Sequence, residues 1–571
     1  MRNKIIRIVI VIFFGVIVVD LIYIQAIKGE FYHRLSTNNR IRIVPLEGWR
    51  GKIMDRHDSV LADNRLAYDV LVTPQEVKDI NAMVKFLSSV IDVSETNLIR
   101  NYTSRKFTPF APVTIAEDVS RDQAFRIEEN KFRFPGMFVQ ETFKRTYPDG
   151  LYQAHILGYV SKISRAKREK YKEYGYTPQS LIGYSGIEEY YDTYLQGQQG
   201  GLQIEVNSRG QQVQLLSLKE PTKGLDVVLT IDKELQKISH DLMAGQNGVI
   251  LVMDMDSGEI LGMTSSPAYD PNIFVNPNIS YQLNDVFQDK QSPILNRAIK
   301  ATYPPGSVFK VLLALAGLDS KKITPYTPFI CEGFLELGGI RFGCTHQHGS
   351  QNLTESLAHS CNIYYYRLGQ ILGVETIYTY AKKFGLGQVT HIDLPYEKEG
   401  LIPNKRIKRI MRKEPWYTGD TLNMSIGQGD VLTTPLQLVR LLSIVGNSGL
   451  DVQPHLIKKI GEQEVLRYQY PKRIHIPEST FSHVQRGLRA TVSDYSGTAH
   501  VLDIPQIYVA GKTGTAQTFG GREDHAWFVG YAKTDKRNIS FCVFLEHGGS
   551  SHNACLVARQ LLLRLKSADI I

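Results

Sequence analysis

Tyr303-Pro304-Pro305-Gly306-Ser307-Val308-Phe309-Lys310 opens a strongly apolar helical pattern over 308–318. The prolines and the glycine end whatever precedes them and allow a helix to start at the serine. Ser307 and Lys310 stand at i and i+3, so both project from one helix face. A serine hydroxyl is a poor nucleophile until a base takes its proton. Lys310 can be that base only when neutral. Burial among Val308, Phe309, Val311 and Leu312, together with the positive helix N-terminus, favours the neutral amine. This is the chemistry a serine acyl-transferase needs. Ser164-Arg165-Ala166-Lys167 fits the same S-x-x-K spacing but lies in the charged stretch 161–176, which reads as a solvated helix whose lysine stays protonated. It serves as an internal control.

Two further motifs follow in order. Ser360-Cys361-Asn362 lies in a helical pattern over 353–369; S-x-N alone is weak, since Ser36, Ser350 and Ser551 also start matches. Lys512-Thr513-Gly514 follows a strand pattern over 507–510 and precedes Thr515 and Ala516. Glycines at 511 and 514 would let a ligand backbone lie against this strand edge. Taken singly, each motif reads as a cap, a turn or a surface lysine; their conjunction, in apolar surroundings, does not. Around them, 226–231 and 248–253 read as strands with a helix at 233–243 between them. A hairpin spans 249–264 through Asp256-Ser257-Gly258, strands are expected at 526–531 and 539–545, and an amphipathic helix at 554–565 closes the chain. The expected second half is an α/β domain whose antiparallel sheet is flanked by helices.

Three of the five cysteines, Cys331, Cys344 and Cys361, fall near His346 and His348. Cys344-x-x-x-His348 has ligand-like spacing, and thiolate with imidazole suits zinc. A set of Cys331, Cys344, His348 and Cys361 could hold such an ion; free buried thiols or a disulfide are the alternatives. Cys542 in a strand pattern and Cys555 in a helix pattern read as core.

Toward the N-terminus, Arg2, Lys4 and Arg7 precede a 20-residue apolar stretch, 8–27, interrupted by Asp20. As a helix it spans about 30 Å, enough to cross a bilayer core. The basic flank predicts a cytoplasmic N-terminus with the rest outside, and no small-x-small site follows for cleavage. Asp20 is expected to reach toward the outer interface. Residues 29–46 are a polar juxtamembrane stretch. From 45 to about 212 the chain is charged, with turn signals such as Tyr147-Pro148-Asp149-Gly150, and reads as an extended α+β module; a Pro/Gly/Lys linker follows at 219–224. With 571 residues, 66 Lys plus Arg and 57 Asp plus Glu, the chain carries a formal charge of +9. It has no dense basic tract of the kind nucleic acid requires, and none is expected as a partner.

The order S-x-x-K, S-x-N, K-T-G resembles that of class A β-lactamases and penicillin-binding proteins, with Cys361 in place of the aspartate of S-D-N. Nearly the whole chain is similar to the class B penicillin-binding proteins, membrane-anchored peptidoglycan D,D-transpeptidases. Arg50-Gly51-Lys52-Ile53-Met54-Asp55-Arg56, His155 through Val160, Gly186-Ile187-Glu188 and Leu195-Gln196-Gly197 resemble the motifs of their pedestal, and Ser425-Ile426-Gly427-Gln428-Gly429 their glycine-rich segment before the third motif. Tyr-Pro-Pro-Gly before Ser307 is closer to the elongation-type branch.

The resemblance implies an anchor over 1–28, a pedestal (dimerisation-type) domain over 29–218 and a transpeptidase domain over 219–571. It implies a serine-type D-Ala-D-Ala carboxypeptidase/transpeptidase of the inner membrane. Its substrates would be stem peptides ending in D-Ala-D-Ala, its inhibitors β-lactams, and its partner a membrane glycosyltransferase of the elongation machinery (RodA-type). Ser307 would be the nucleophile, Lys310 its base and Ser360 a proton relay. Asn362 would hold the substrate amide, and Lys512, Thr513, Gly514 and Thr515 the terminal carboxylate. The N–H groups of Ser307 and Thr515 would form the oxyanion hole. Acyl transfer requires no cofactor. Some elongation-type relatives carry zinc on a His and a Cys matching His348 and Cys361; Thr327 and Phe342 stand nearest their other ligands, so Cys331 and Cys344 would have to substitute. Rival readings are a β-lactam sensor or β-lactamase, a scaffold activating a glycosyltransferase, and a division-type enzyme.

Overall fold

The computed structural model describes residues 2–32, 41–46, 48–105, 112–171, 180–206, 212–277, 279–466, 471–518 and 520–571. At the N-terminus a helix, Arg2–Ile22, runs into a π-turn, Tyr23–Ile27. Lys4–Ile27 is long and apolar enough to cross a membrane and has none of its surface buried in the protein. Of the juxtamembrane stretch, Ile41–Leu46 is a strand and 33–40 lie outside the described residues.

The chain forms two compact units that interleave in sequence. The first comprises Met1–Gly51, Leu66–Phe143 and Gln196–Leu225. Its helices Ile80–Val90, Glu95–Arg105 and Arg121–Glu129 surround a strand, Val113–Val119, that pairs antiparallel with residues 68–72. Asp79 caps the first helix through the N–H groups of Asn81 and Ala82, and Ser120 and Gln123 form a reciprocal capping box on the third. Met83, Val84 and Leu87 fall at helical spacing and bury against Val70, Val72, Leu98, Ile115 and Ile127. Ile41–Leu46, Gly200–Val206 and Gln212–Lys219 form a separate antiparallel sheet.

The second unit comprises Lys52–Arg65, Lys144–Leu195 and Asp226–Ile571. Its centre is a five-stranded sheet of β1 (Gly248–Asp254), β2 (Ile260–Ser266), β3 (Tyr508–Ala516), β4 (His525–Lys533) and β5 (Asn538–Leu545). The order is β2-β1-β5-β4-β3, every pair antiparallel. Both faces are covered, which explains why β1 over 249–253 and β5 over 541–545 are unbroken apolar runs. Ile250, Val252, Phe541 and Val543 pack with Leu235 of the helix Lys233–Leu242 and with Ala554 and Leu561 of the helix Ser551–Ser567. Val249, Leu251 and Phe544 face the core that holds the apolar helices Lys310–Asp319 and Pro435–Gly446. Within this unit the pedestal-type motifs are braced by a buried ion pair, Arg145 Nε to Glu188 Oε1 at 2.7 Å, and a partly buried one, Arg56 to Glu259 at 3.2 Å.

Four local expectations are corrected. The third-motif strand does not stop at 510; β3 runs through Lys512-Thr513-Gly514 to Ala516, because its glycines are carried by a nine-pair ladder with β4. Ser307 lies in a 3₁₀ turn, Gly306–Phe309, and the α-helix begins only at Lys310. The pattern over 353–369 is two helices, Leu353–Ala358 and Asn362–Leu372, broken at Ser360, whose φ is +56°. The stretch 161–176 holds a strand, Val160–Lys162, and a short helix, Arg165–Lys170; 172–176 lie outside the described residues.

Candidate active site

Gly306 sits at φ +54°, and a Cβ there would lie 2.6 Å from the Thr515 carbonyl oxygen. A Cβ at Gly514 would come within 2.9 Å of the Pro305 oxygen. Only glycine at both positions lets the Ser307 turn meet the end of β3 backbone to backbone. The segment 425–429 locks this junction: Gly306 N–H donates to the Gly427 oxygen at 3.0 Å, and Gln428 Nε2 to the Thr515 oxygen at 3.3 Å. Ser307 is half-buried beside the exposed Thr515.

Lys310 has none of its surface exposed. Its Nζ donates to the Ser360 carbonyl at 2.7 Å, Ser360 Oγ at 3.3 Å and Asn362 Oδ1 at 2.6 Å. Those three oxygens account for all three ammonium protons and draw the S-x-N turn onto the S-x-x-K helix. Burial pushes the Lys310 ammonium down to about 8, against the partial support of the nearby Cys344 and Cys361 sulfurs. Asn362 is fixed in turn, Nδ2 donating to the Gly343 oxygen at 3.1 Å.

The third motif lies on β3, the edge strand of its sheet. Lys512 is fully buried, 3.4 Å from both the carbonyl and the hydroxyl of Thr513. Burial and then the Lys310 charge push its ammonium well down, so an entering carboxylate would supply a favourable counter-charge. Thr513 Oγ1 lies 2.8 Å from Thr498 Oγ1. Neither Thr498 nor Gln428 was singled out as a site residue from sequence, since each acts through a partner remote along the chain.

The control copy behaves differently. Ser164 Oγ accepts the Lys167 N–H at 3.3 Å and caps the helix Arg165–Lys170. Lys167 is not free in solvent as expected; it pairs with Glu189 at 3.0 Å and lies over the Tyr184 ring.

Cys331, Cys344, His348 and Cys361 are brought together, their ligand atoms all within 4.8 Å of one another. His348 Nδ1 is 3.5 Å from the sulfurs of Cys331 and Cys344, and the Asn362 N–H donates to Cys344 Sγ at 3.2 Å. The Cys361 thiol donates to Cys344, which with neighbouring N–H groups holds Cys344 well below the usual thiol range. Three sulfurs and one imidazole at this spacing fit a closed tetrahedral ion, whose ligand atoms lie roughly 3.5–4 Å apart. All five cysteines are free thiols. His346 contributes its carbonyl to Cys331, and neither Thr327, bonded to Thr324, nor Phe342, against Tyr366, joins the set.

Residues 248–563 match the penicillin binding protein transpeptidase domain, and residues 45–229 the penicillin-binding protein dimerisation domain. The chain is 31% identical over 584 residues to the peptidoglycan D,D-transpeptidase MrdA of Escherichia coli K12, covering 97% of this chain and 92% of the relative. The penicillin-binding protein PBP2 of Helicobacter pylori, solved in complex with MreC, superposes with a TM-score of 0.83 at 27% identity, covering 93% of this chain and all of that one. A chain of a peptidoglycan synthase complex, solved for the coordination of polymerization and crosslinking, superposes with a TM-score of 0.73 at 30% identity, covering 98% and 97%.

Proposed function

The chain belongs to the penicillin-binding protein transpeptidase family, and from that premise we propose that it crosslinks peptidoglycan stem peptides during cell elongation through an acyl-enzyme on Ser307. The observation that carries the assignment is the buried Lys310, one helical turn from Ser307 and bonded to both Ser360 and Asn362. As an ammonium it satisfies three oxygens. On losing one proton it keeps two donors and gains a lone pair for the Ser307 hydroxyl.

Ser307 Oγ attacks the carbonyl carbon of the penultimate D-Ala while its proton passes to Lys310 Nζ. The N–H groups of Ser307 and Thr515 receive the developing oxyanion. The C–N bond to the terminal D-Ala breaks, and a proton relayed through Ser360 completes the leaving amine. An amine of a neighbouring stem then attacks the ester, and Ser307 recovers its proton. Attack by water in that step would release the shortened stem as a carboxypeptidase does. Lys512, Thr513 and Thr515 hold the terminal carboxylate, and a β-lactam carboxylate fits the same group.

The base form of Lys310 appears near pH 8, so the rate of acylation by benzylpenicillin is expected to rise close to tenfold per pH unit from 6 to 7.5. It should then level above about 8. A flat profile over this range would remove Lys310 as the base.

On the same premise we assign the N-terminus to the cytoplasm, from Arg2, Lys4 and Arg7, and the transpeptidase unit to the outer face where its substrate lies. A membrane glycosyltransferase of the RodA type is the assigned partner, supported by the likeness to a chain of a peptidoglycan synthase complex. Zinc is assigned to Cys331, Cys344, His348 and Cys361. When bound, it supplies a structural cross-link with no open position. Cys361 sits between Ser360 and Asn362, so the ligand set steadies the turn that receives Lys310. Elemental analysis of the purified full-length protein is expected to find about one zinc per chain, and Cys331→Ser to lose it. A metal-free wild type with a full set of free thiols would refute the assignment.

A further inference from the structure

Ser360 is a non-glycine residue in the left-handed region, φ +56°, and such strain persists only where its surroundings over-determine it. The residue before it is bonded at both ring nitrogens. His359 Nδ1 lies 2.8 Å from Gln351 Oε1 and Nε2 lies 3.0 Å from Ser496 Oγ. The Gln351 amide is oriented, because its Nε2 donates to the carbonyls of His348 and Ser350, which turns its oxygen to the imidazole. Ser496 is held as well: its N–H and its hydroxyl both donate to Asp494 Oδ1, at 2.9 and 2.8 Å. The loop that carries Ser496 continues to Thr498. The Thr498 N–H donates to the Ala358 oxygen at 3.2 Å, and its hydroxyl meets Thr513 of the third motif at 2.8 Å. One loop, 494–498, thus grips the second motif on one side and the third on the other.

We propose that His359, through Ser496 and the 494–498 loop, is a positioning residue that fixes the strained Ser360 turn relative to the Lys512-Thr513-Gly514 strand. His359 makes no contact with substrate in this role. It sets where Ser360 Oγ stands against Lys310, while Thr498 sets where the Thr513 hydroxyl stands for the carboxylate. The proposal rests on the reading of Ser307, Lys310 and Ser360 as acyl-transfer machinery. It divides the loop's effects in two: loss of the Ser496 bond disturbs the chemical step, and loss of the Thr498 bond disturbs ligand binding.

The test is stopped-flow acylation of the full-length protein in detergent by a chromogenic cephalosporin, resolved into a non-covalent dissociation constant and an acylation rate constant. Rates are normalised to the fraction of sites that titrate. Ser496→Ala and His359→Phe are expected to lower the acylation rate constant about 10- to 100-fold, with the dissociation constant changed less than about threefold. Ser496→Thr, which keeps a hydroxyl, is expected to recover most of the rate. Thr498→Val is expected to raise the dissociation constant and spare the rate constant. A mere folding defect would lower the titratable fraction and leave both constants intact, and that pattern would overturn the proposal. So would wild-type rate constants in Ser496→Ala and His359→Phe, or no recovery in Ser496→Thr. A wild type that is not acylated at all would instead bring down the reading of Ser307 itself.

Discussion

Ser307→Ala is expected to abolish crosslinking of stem peptides and all covalent labelling by β-lactams, with the fold intact. The effect should be the largest of any single substitution, on the order of 10⁴-fold or more, because the acyl-enzyme ester forms on Ser307 Oγ. Removing Oγ leaves everything around it in place. The 3₁₀ turn is held by Gly306 bonding to Gly427, and the adjoining Val308 and Phe309 are fully buried. The variant should therefore unfold at a temperature close to that of the wild type while retaining weak, reversible binding of benzylpenicillin through Lys512, Thr513 and Thr515. Gel-based labelling with a fluorescent penicillin, read beside thermal unfolding, checks both halves. Residual crosslinking in Ser307→Ala would place the nucleophile elsewhere. Crosslinking and cell shape preserved in cells carrying the variant would favour the scaffold role.

Lys310→Met ranks second. It keeps the length and apolar volume of the stem while removing the base, and an expected loss of about 10²–10⁴-fold in acylation rate follows from general-base catalysis. It also takes a shared donor from the Ser360 oxygen, Ser360 Oγ and Asn362 Oδ1. The loss should accordingly fall on the chemical step, and the residual rate should no longer respond to pH between 6 and 8. Lys310→Arg is expected to fare no better. Its guanidinium keeps donors for the turn but stays protonated at every accessible pH. A Lys310→Arg enzyme near wild-type rate would show that the lysine only orients the turn and that the proton leaves by another route.

What could be read from sequence and what could not divides along the range of the interactions. Ser307 and Lys310 are one turn apart, so their placement on successive turns of one segment was legible from spacing alone. The apolar run of β1 and the hairpin it forms with β2 were equally local. The full length of β3 was not, because Gly511 and Gly514 suppress strand signals and are held in register only by β4. The break at Ser360 carries no glycine or proline to announce it; contacts from Lys310 and the 494–498 loop impose it, the latter some 140 residues away in the chain. Lys167 was expected in solvent because its partner, Glu189, lies 22 residues on. The set Cys331, Cys344, His348 and Cys361 is named from composition and the Cys344-x-x-x-His348 spacing, but the hairpin that brings its members together is not legible there. Phe334–Leu337 pairs with Ile340–Gly343 across Gly338 and Gly339, both at positive φ as a tight two-residue turn demands. Closing that hairpin brings Cys344 N–H to the Gly333 oxygen at 2.8 Å and so sets Cys344 near Cys331.

Intact-mass spectrometry of the full-length protein with benzylpenicillin, followed by peptide mapping, tests the central claim most directly. The expected result is one lasting penicilloyl group per chain, mapped to Ser307 within Tyr303–Lys310 and absent from Ser307→Ala. Rapid loss of the drug with no lasting adduct would contradict it and indicate a β-lactamase, and an adduct on any other residue would contradict the assignment of the nucleophile.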